Sequence, residues 1–256
     1  MDLQIENHLF IVGGATSGFG KAIATALLQE GAQVIVVARG ADKLKTIYQN
    51  QPNASIVEGD ITQPAIIEHL KKMIGERRLH GMVINAGGPP AKMVLETTLD
   101  DWDDAYQKIL RWKIAITQTF VPAMVKAGYG RMLYIESSSV KQPIENLVLS
   151  NSLRLAVTGM VKTLSQEIAR SGVTLNILGP GSHNTPAIDR LYHKKAEQTG
   201  LPFEEVKKAA INQIPVGALG EAIDFASLAL WLLSPHSRYI TGQTITVDGG
   251  MIKGTL

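Results

Sequence analysis

The sequence contains no cysteine, which excludes disulfides, thiol catalysis and thiolate-held metal. It is also short of charge. Only 19% of its residues are Asp, Glu, Lys or Arg, too few for a disordered chain or a long coiled coil. Neither sign dominates: 25 basic residues against 23 acidic ones leave a net charge of +2, so no basic footprint for nucleic acid is expected. The six histidines have no metal-ligand spacing. No apolar run approaches the ~18 residues that a membrane helix requires, and Met1–Gly14 lacks the basic and long apolar regions of a signal peptide. These absences lead to the expectation of a cytoplasmic protein with neither a nucleic-acid nor a membrane partner.

What the chain does have is 45% hydrophobic residues, arranged in short runs. His8–Gly13, Gln33–Ala38, Ala54–Glu58, Gly81–Asn85, Arg131–Ser137, Val173–Leu178 and Gln243–Val247 are each four to eight residues long, which suits strands buried on both faces. Between them lie segments with helical spacing, such as Ile23, Leu27 and Leu28, or Val157, Met160, Val161, Leu164 and Ile168. Strand and helix in alternation predict an α/β fold: a doubly wound parallel sheet of about seven strands with helices on both faces. No linker, charge run or repeat divides the sequence, so residues 1–256 are expected to form a single domain. The polar, helix-prone stretch 184–215 interrupts the alternation after the sixth strand, where ligands sit in open α/β sheets, and is expected to be a substrate lid.

The first predicted strand ends in Gly13-Gly14-Ala15-Thr16-Ser17-Gly18-Phe19-Gly20 and runs into a helix. Such a turn lets backbone approach a pyrophosphate at a helix N-terminus; by itself it also suits a tight turn with no ligand. Its Gly14, Gly18 and Gly20 spacing resembles that of the short-chain dehydrogenases/reductases, which are single Rossmann-type domains, and the likeness covers nearly the whole chain. Asp60-Ile61 resembles that family's adenine-contacting segment, and Asn85-Ala86-Gly87 its turn after the fourth strand. Pro180-Gly181 with Thr185 resembles the loop that faces the nicotinamide, and Tyr239–Gly250 the carboxyl-terminal signature. The resemblance thus implies a dinucleotide cofactor held by Gly14, Thr16, Ser17, Gly18, Phe19, Gly20, Asp60, Ile61, Asn85, Ala86, Gly87, Pro180, Gly181 and Thr185. At the end of the second strand, Ala38 stands where an acid would favour NAD, and Arg39 comes next. This favours NADP, with NAD possible.

The catalytic positions depart from the family pattern. Ser137 stands where the family's carbonyl-orienting serine belongs, but thirteen residues on, in place of the tyrosine, is Ser150, and four further, in place of the lysine, is Arg154. Ile109 occupies the position of the family's helical asparagine. An alkyl alcohol, closer to water's ~15.7 than to a phenol's ~10, lacks ~7–8 kcal/mol of proton-donating power at ~1.36 kcal/mol per unit. Ser150 is therefore expected to hold a carbonyl or a water. Arg154 is expected to keep the charge and bind ribose, without passing protons. His183, in the Pro180–Thr185 loop, is a candidate substitute acid; its competing reading is an exposed loop histidine. Glu136 and Lys141 flank Ser137, and strand alternation turns Glu136 away from the Ser137 face.

An intact cofactor side and an eroded proton relay fit two readings. One is an oxidoreductase moving hydride between NADPH and a small carbonyl or alcohol, similar to the β-ketoacyl (3-oxoacyl) carrier-protein reductases within that family. The other is a catalytically weak or inactive NADP-binding sensor or scaffold; a folded relic without ligand is a third. The family likeness and the apolar helical stretches Leu99–Val125 and Val148–Ala169 imply a homotetramer or homodimer.

Overall fold

The computed structural model describes residues 1–255. Seven strands, β1 (Leu9–Gly13), β2 (Gln33–Ala38), β3 (Ala54–Glu58), β4 (Gly81–Ile84), β5 (Gly130–Ile135), β6 (Val173–Pro180) and β7 (Thr244–Val247), form one sheet in the order β3-β2-β1-β4-β5-β6-β7. Every pairing is parallel. Parallel neighbours need crossovers, and the helices supply them: α1 (Gly18–Gln29), α2 (Ala41–Tyr48), α3 (Pro64–Ile74), α4 (Leu99–Tyr106), α5 (Trp112–Lys126), α6 (Val148–Glu167), α7 (Pro186–Thr199), α8 (Phe203–Ile211) and α9 (Ala222–Leu233). Two of the expected strands stop short. The chain leaves β4 before Asn85 and β5 before Glu136, because Asn85 bonds to the end of β1 and Ser137 starts a 3-10 turn at 138–140 by capping it.

The period-2 alternation of the strands divides the core. Ile11, Met82, Met132 and Tyr134 pack on one face with Ile67 and Leu70 of α3, Trp112 and Ile116 of α5, and Val157 and Val161 of α6. Phe10, Val12, Leu133 and Ile135 pack on the other with Ile23 and Leu27 of α1, Leu44 of α2, and Phe225 and Leu233 of α9. Because β2 lies on one side of β1 and β4 on the other, the chain reverses its direction of growth beside β1. Loops from both halves therefore converge at the carboxyl ends of the strands, where such sheets bind ligands. The stretch 184–215 folds as α7 and α8. No helix among the described residues is long and apolar enough to cross a membrane.

The opposite edge is pinned by a histidine pair. His80 Nδ1 accepts a hydrogen bond from the Leu9 amide at 3.0 Å, while the His80 amide donates to the Leu9 carbonyl at 2.9 Å. The His8 and His80 rings stack 4.0 Å apart. Accepting through Nδ1 requires that nitrogen to be unprotonated. Burial, reinforced by His8 and Arg78, depresses His80 from its ordinary 6.5 to about 4. The unfolded chain therefore takes up this proton first as pH falls from about 6.5, and the folded one only near about 4, so stability drops across that window. The melting temperature should fall with pH there, and His80→Asn, which offers an acceptor that does not titrate, should flatten the fall. An unchanged slope would place the acid sensitivity elsewhere.

Candidate active site

The glycine turn after β1 is built too tightly for side chains. A Cβ on Gly20 would lie 2.4 Å from the Gly14 carbonyl oxygen, and Gly14, at φ +65°, has the Asn85 amide 2.7 Å from where its own Cβ would be. Helix α1 then begins with no side-chain cap from Ser17 and no acidic residue in its first turn. Its N-terminal amides and dipole thus suit an anion such as a pyrophosphate. Asn85 Nδ2 donates to the Gly13 carbonyl at 3.2 Å and ties the two halves together at the switch point.

The other expected cofactor residues converge on the same edge. Arg39 is exposed directly after β2 and forms no ion pair among the described residues. Asp60 uses Oδ1 to accept from the amide and hydroxyl of Thr62 at 3.0 and 2.8 Å, which sets a turn. Ile61 is buried against Gly13. Gly181 is clamped by its amide bond to the Val247 carbonyl at 2.9 Å, and the Thr185 methyl would lie 3.5 Å from a Cβ on Gly18. The β6 loop therefore closes over the glycine turn.

His183 is not the exposed loop residue of the competing reading. It is 3% exposed, edge-on to Phe19 at 5.0 Å and to Phe225 at 5.7 Å, and its Nδ1 donates to the Gly181 carbonyl at 3.1 Å. Gly220 lacks a Cβ where one would strike the imidazole, 2.7 Å from Nε2. The ring thus pins the β6 loop to α1 and α9. Phe19 shares that packing, with its ring 4.2 Å from Phe225.

At the end of β5 lies a buried cluster of charge. Glu136 extends the alternation of Met132 and Tyr134, so it faces α5 and α6, and its side chain has no solvent exposure. Lys113 of α5, 3% exposed, donates from Nζ to Glu136 Oε1 in a very short contact. Arg154 Nη1 donates to Glu136 Oε2 at 3.0 Å, and Arg154 Nε to Ser150 Oγ at 3.0 Å. The ribose role expected of Arg154 is thereby narrowed to its one remaining corner, Nη2. Burial first, then the Arg154 charge, lowers the Lys113 ammonium to about 8, against the pull of Glu136. Ser137 Oγ accepts from the Ser139 amide at 3.0 Å, which leaves its hydroxyl hydrogen free to donate to a carbonyl. Tyr134 is no substitute phenol. It donates to Thr117, whose hydroxyl donates to the Lys113 carbonyl at 2.6 Å, and burial raises its pKa.

Lys113 does not stand out by any motif in the sequence. Its one readable signal is that it is a lysine inside the apolar stripe Ile109, Trp112, Ile116 and Phe120. A π-helical turn at Gln107–Arg111, with Ile109 1% exposed at its centre, precedes α5. Such a turn inserts one residue and rotates the rest of the helix about its axis.

The model of the family described as enoyl-(acyl carrier protein) reductase matches residues 14–252. The chain belongs to the short-chain dehydrogenase/reductase family. It is 28% identical to the 3-oxoacyl-[acyl-carrier-protein] reductase of Salmonella typhimurium over 97% of this chain and 99% of that one. The enzyme of the same name from Vibrio cholerae is 29% identical, with 97% and 99% covered. The crystal structure of a single-substitution variant of actinorhodin polyketide ketoreductase with NADPH superposes with a TM-score of 0.91 at 28% identity, covering 97% of this chain and 98% of that one. An NADPH-dependent reductase involved in bacilysin biosynthesis shares the fold, with a TM-score of 0.89 at 23% identity over 97% and 100% of the two chains.

The packing of His183 gives a direct test. His183→Asn keeps a donor for the Gly181 carbonyl but loses ring packing, so thermal unfolding should show a loss of roughly 1–3 kcal/mol. Any reductase turnover should keep its pH profile. A folded variant with turnover abolished would restore His183 as the proton donor.

Proposed function

We propose that the protein is an NADP(H)-dependent oxidoreductase that transfers hydride between the cofactor and a small carbonyl compound of the 3-oxoacyl type, with an atypical proton relay. The observation that carries this reading is the uncapped, acid-free start of α1 beneath the Gly14–Gly20 turn, with the unpaired Arg39 at the end of β2. A 2′-phosphate is met by such an arginine, where an acid would select NAD. The 3-oxoacyl reductases among the relatives and the ketoreductase with NADPH support the same cofactor and substrate class. A cytoplasmic location belongs to the same reading.

The bound cofactor supplies hydride; the chain supplies position and charge. Thr16, Ser17 and the turn amides would hold the pyrophosphate, Asp60 and Ile61 would serve the adenine, and Asn85–Gly87 with Pro180–Thr185 would serve the nicotinamide end. Ser137 donates to the substrate carbonyl, and Ser150, held by Arg154, orients a water. Helices α7 and α8 act as the lid: Lys194 Nζ of α7 donates to the Ala91 carbonyl at 3.3 Å across the mouth of the site, and Tyr192 and Val206 are buried beneath. A second reading, an NADP-binding sensor or scaffold, is favoured by one fact. Ser150 Oγ accepts from Arg154 Nε and keeps its own hydrogen free, but an alkyl alcohol is far too weak an acid to take the phenol's place.

Calorimetric titration should show NADPH binding more tightly than NADH, and Arg39→Ala should weaken NADPH about tenfold, or ~1.4 kcal/mol, while sparing NADH. Consumption of NADPH with an acetoacetyl thioester should accompany binding, and Ser137→Ala should abolish it without weakening the cofactor. Equal affinity for both cofactors overturns the Arg39 assignment. Tight NADPH binding with no reduction across a carbonyl panel favours the sensor.

Leu99 and Tyr106 of α4 and Leu155 of α6 are exposed, and burying such a face against a second copy supports a homodimer or homotetramer. Light scattering at micromolar concentration should give a multiple of 27.7 kDa; a stable monomer counts against it.

A further inference from the structure

Three charges meet at the end of β5, and their sum is not zero. Glu136 is one carboxylate between two cations, Lys113 and Arg154, and all three are buried. Burying charge is costly, and such clusters stabilise a fold weakly compared with apolar packing. Ile109 and Ile116, on the same face of the α5 segment, show that apolar side chains fit there. The geometry also has a direction. Of the guanidinium's five hydrogens, Nε gives its one to Ser150, and Nη1 bonds Glu136 at 3.0 Å with the Ile135 carbonyl at 3.5 Å. The Nη2 pair has no acceptor among the described residues, and Nη2 lies 3.3 Å from where a Cβ on Gly88 would sit. Gly88 thus leaves this corner open to the loop after β4, beside the expected cofactor residues Asn85–Gly87.

We propose that Lys113 and Glu136 are positioning residues of the reductase site, clamping Arg154 so that its Nη2 corner, in place of the ribose contact the sequence suggested, receives the substrate oxygen on which negative charge develops. This rests on the reductase reading above. Glu136 fixes the guanidinium through Nη1, Ser150 fixes it through Nε, and Lys113 compensates the carboxylate so that the Arg154 charge is not cancelled. A guanidinium does not surrender a proton, so its contribution is electrostatic, made by donors that are already oriented before the charge develops. As the carbonyl carbon accepts hydride, the C=O π pair moves to oxygen. That oxygen then takes a proton from a water, and the hydroxide left behind is neutralised by buffer.

The arrangement predicts a pH dependence. The charged groups facing Lys113 are Glu136 from the end of β5 and Arg154 from α6; the neutral Tyr134 phenol of β5 borders Glu136 and is bonded to Thr117. With Lys113 protonated the cluster carries +1; above about 8, where burial and Arg154 let the ammonium deprotonate, it carries zero. Oxyanion stabilisation should weaken as the pH rises through that value.

The test combines kinetics with NMR of ¹³C-labelled lysine side chains in the full-length protein. In the wild type, kcat for acetoacetyl-thioester reduction should fall above about pH 8, and the lysine signal absent from Lys113→Met should titrate over the same range. Lys113→Met should lower kcat about tenfold at neutral pH and abolish the alkaline limb, with the NADPH Kd within about twofold of wild type. Glu136→Gln should move both limb and NMR midpoint to lower pH, and the Arg154 Nε–H signal should lose its protection from exchange. An active wild type whose limb is unchanged in either folded variant overturns the positioning role alone. A wild type that binds NADPH and reduces nothing overturns the reductase reading and, with it, the oxyanion role.

Discussion

The site depends on one buried carboxylate. Strand alternation turns Glu136 to the face covered by α5 and α6, where water cannot solvate it. A lone buried carboxylate is expensive, and breaking such a pair typically costs about 3–5 kcal/mol. Lys113 and Arg154 are therefore required by Glu136 as much as they orient it. The same demand fixes Ser150, whose hydroxyl lies on the Arg154 Nε–H. Losing Glu136 would leave two like charges together in the core, and losing either cation would leave the carboxylate one partner instead of two, so the four side chains hold one another in a single geometry.

Much of the scaffold was legible in the sequence for a simple reason. Strands such as Leu9–Gly13 and Gly81–Ile84 are buried on both faces and so read as unbroken apolar runs. The crossing point follows from helices alternating with parallel strands, and the glycine turn announces itself because only glycine fits at positions such as Gly14 and Gly20. The charged cluster was not legible in the same way. It joins positions 113, 136 and 154 across three elements, and pairing over that distance has no local period. Glu136 was in view, and its direction was foreseen, but the direction mattered only once α6 was known to bring Arg154 to that face.

His183 shows the converse. As a loop histidine beside the expected nicotinamide segment it had the chemistry of a proton donor, yet its neighbours are two phenyl rings and a glycine backbone. The chemical type of a residue does not separate a reactive group from a wedge; what surrounds it does. The Pro180–Thr185 loop needs a wedge because it must lie over the glycine turn, and Phe19 and Phe225, from helices on the same face, leave a slot for one more ring.

Replacing a phenol and an ammonium by an alcohol and a guanidinium exchanges proton transfer for charge. A phenol held near an ammonium can stabilise an oxyanion and then neutralise it, whereas Arg154 can do only the first. This arrangement works best when a water held by Ser150 can supply the final proton and when the substrate itself lowers the basicity of the developing alkoxide. A β-dicarbonyl compound has that second property, since its second carbonyl, one methylene away, withdraws electrons through the σ-bonds, which eases hydride addition and makes the alkoxide less basic. An unactivated ketone lacks that inductive help. On the proposed reductase reading, the buried positive charge would therefore select by reactivity as well as by shape, and a 3-oxoacyl-type compound is a carbonyl class with little need of the phenol.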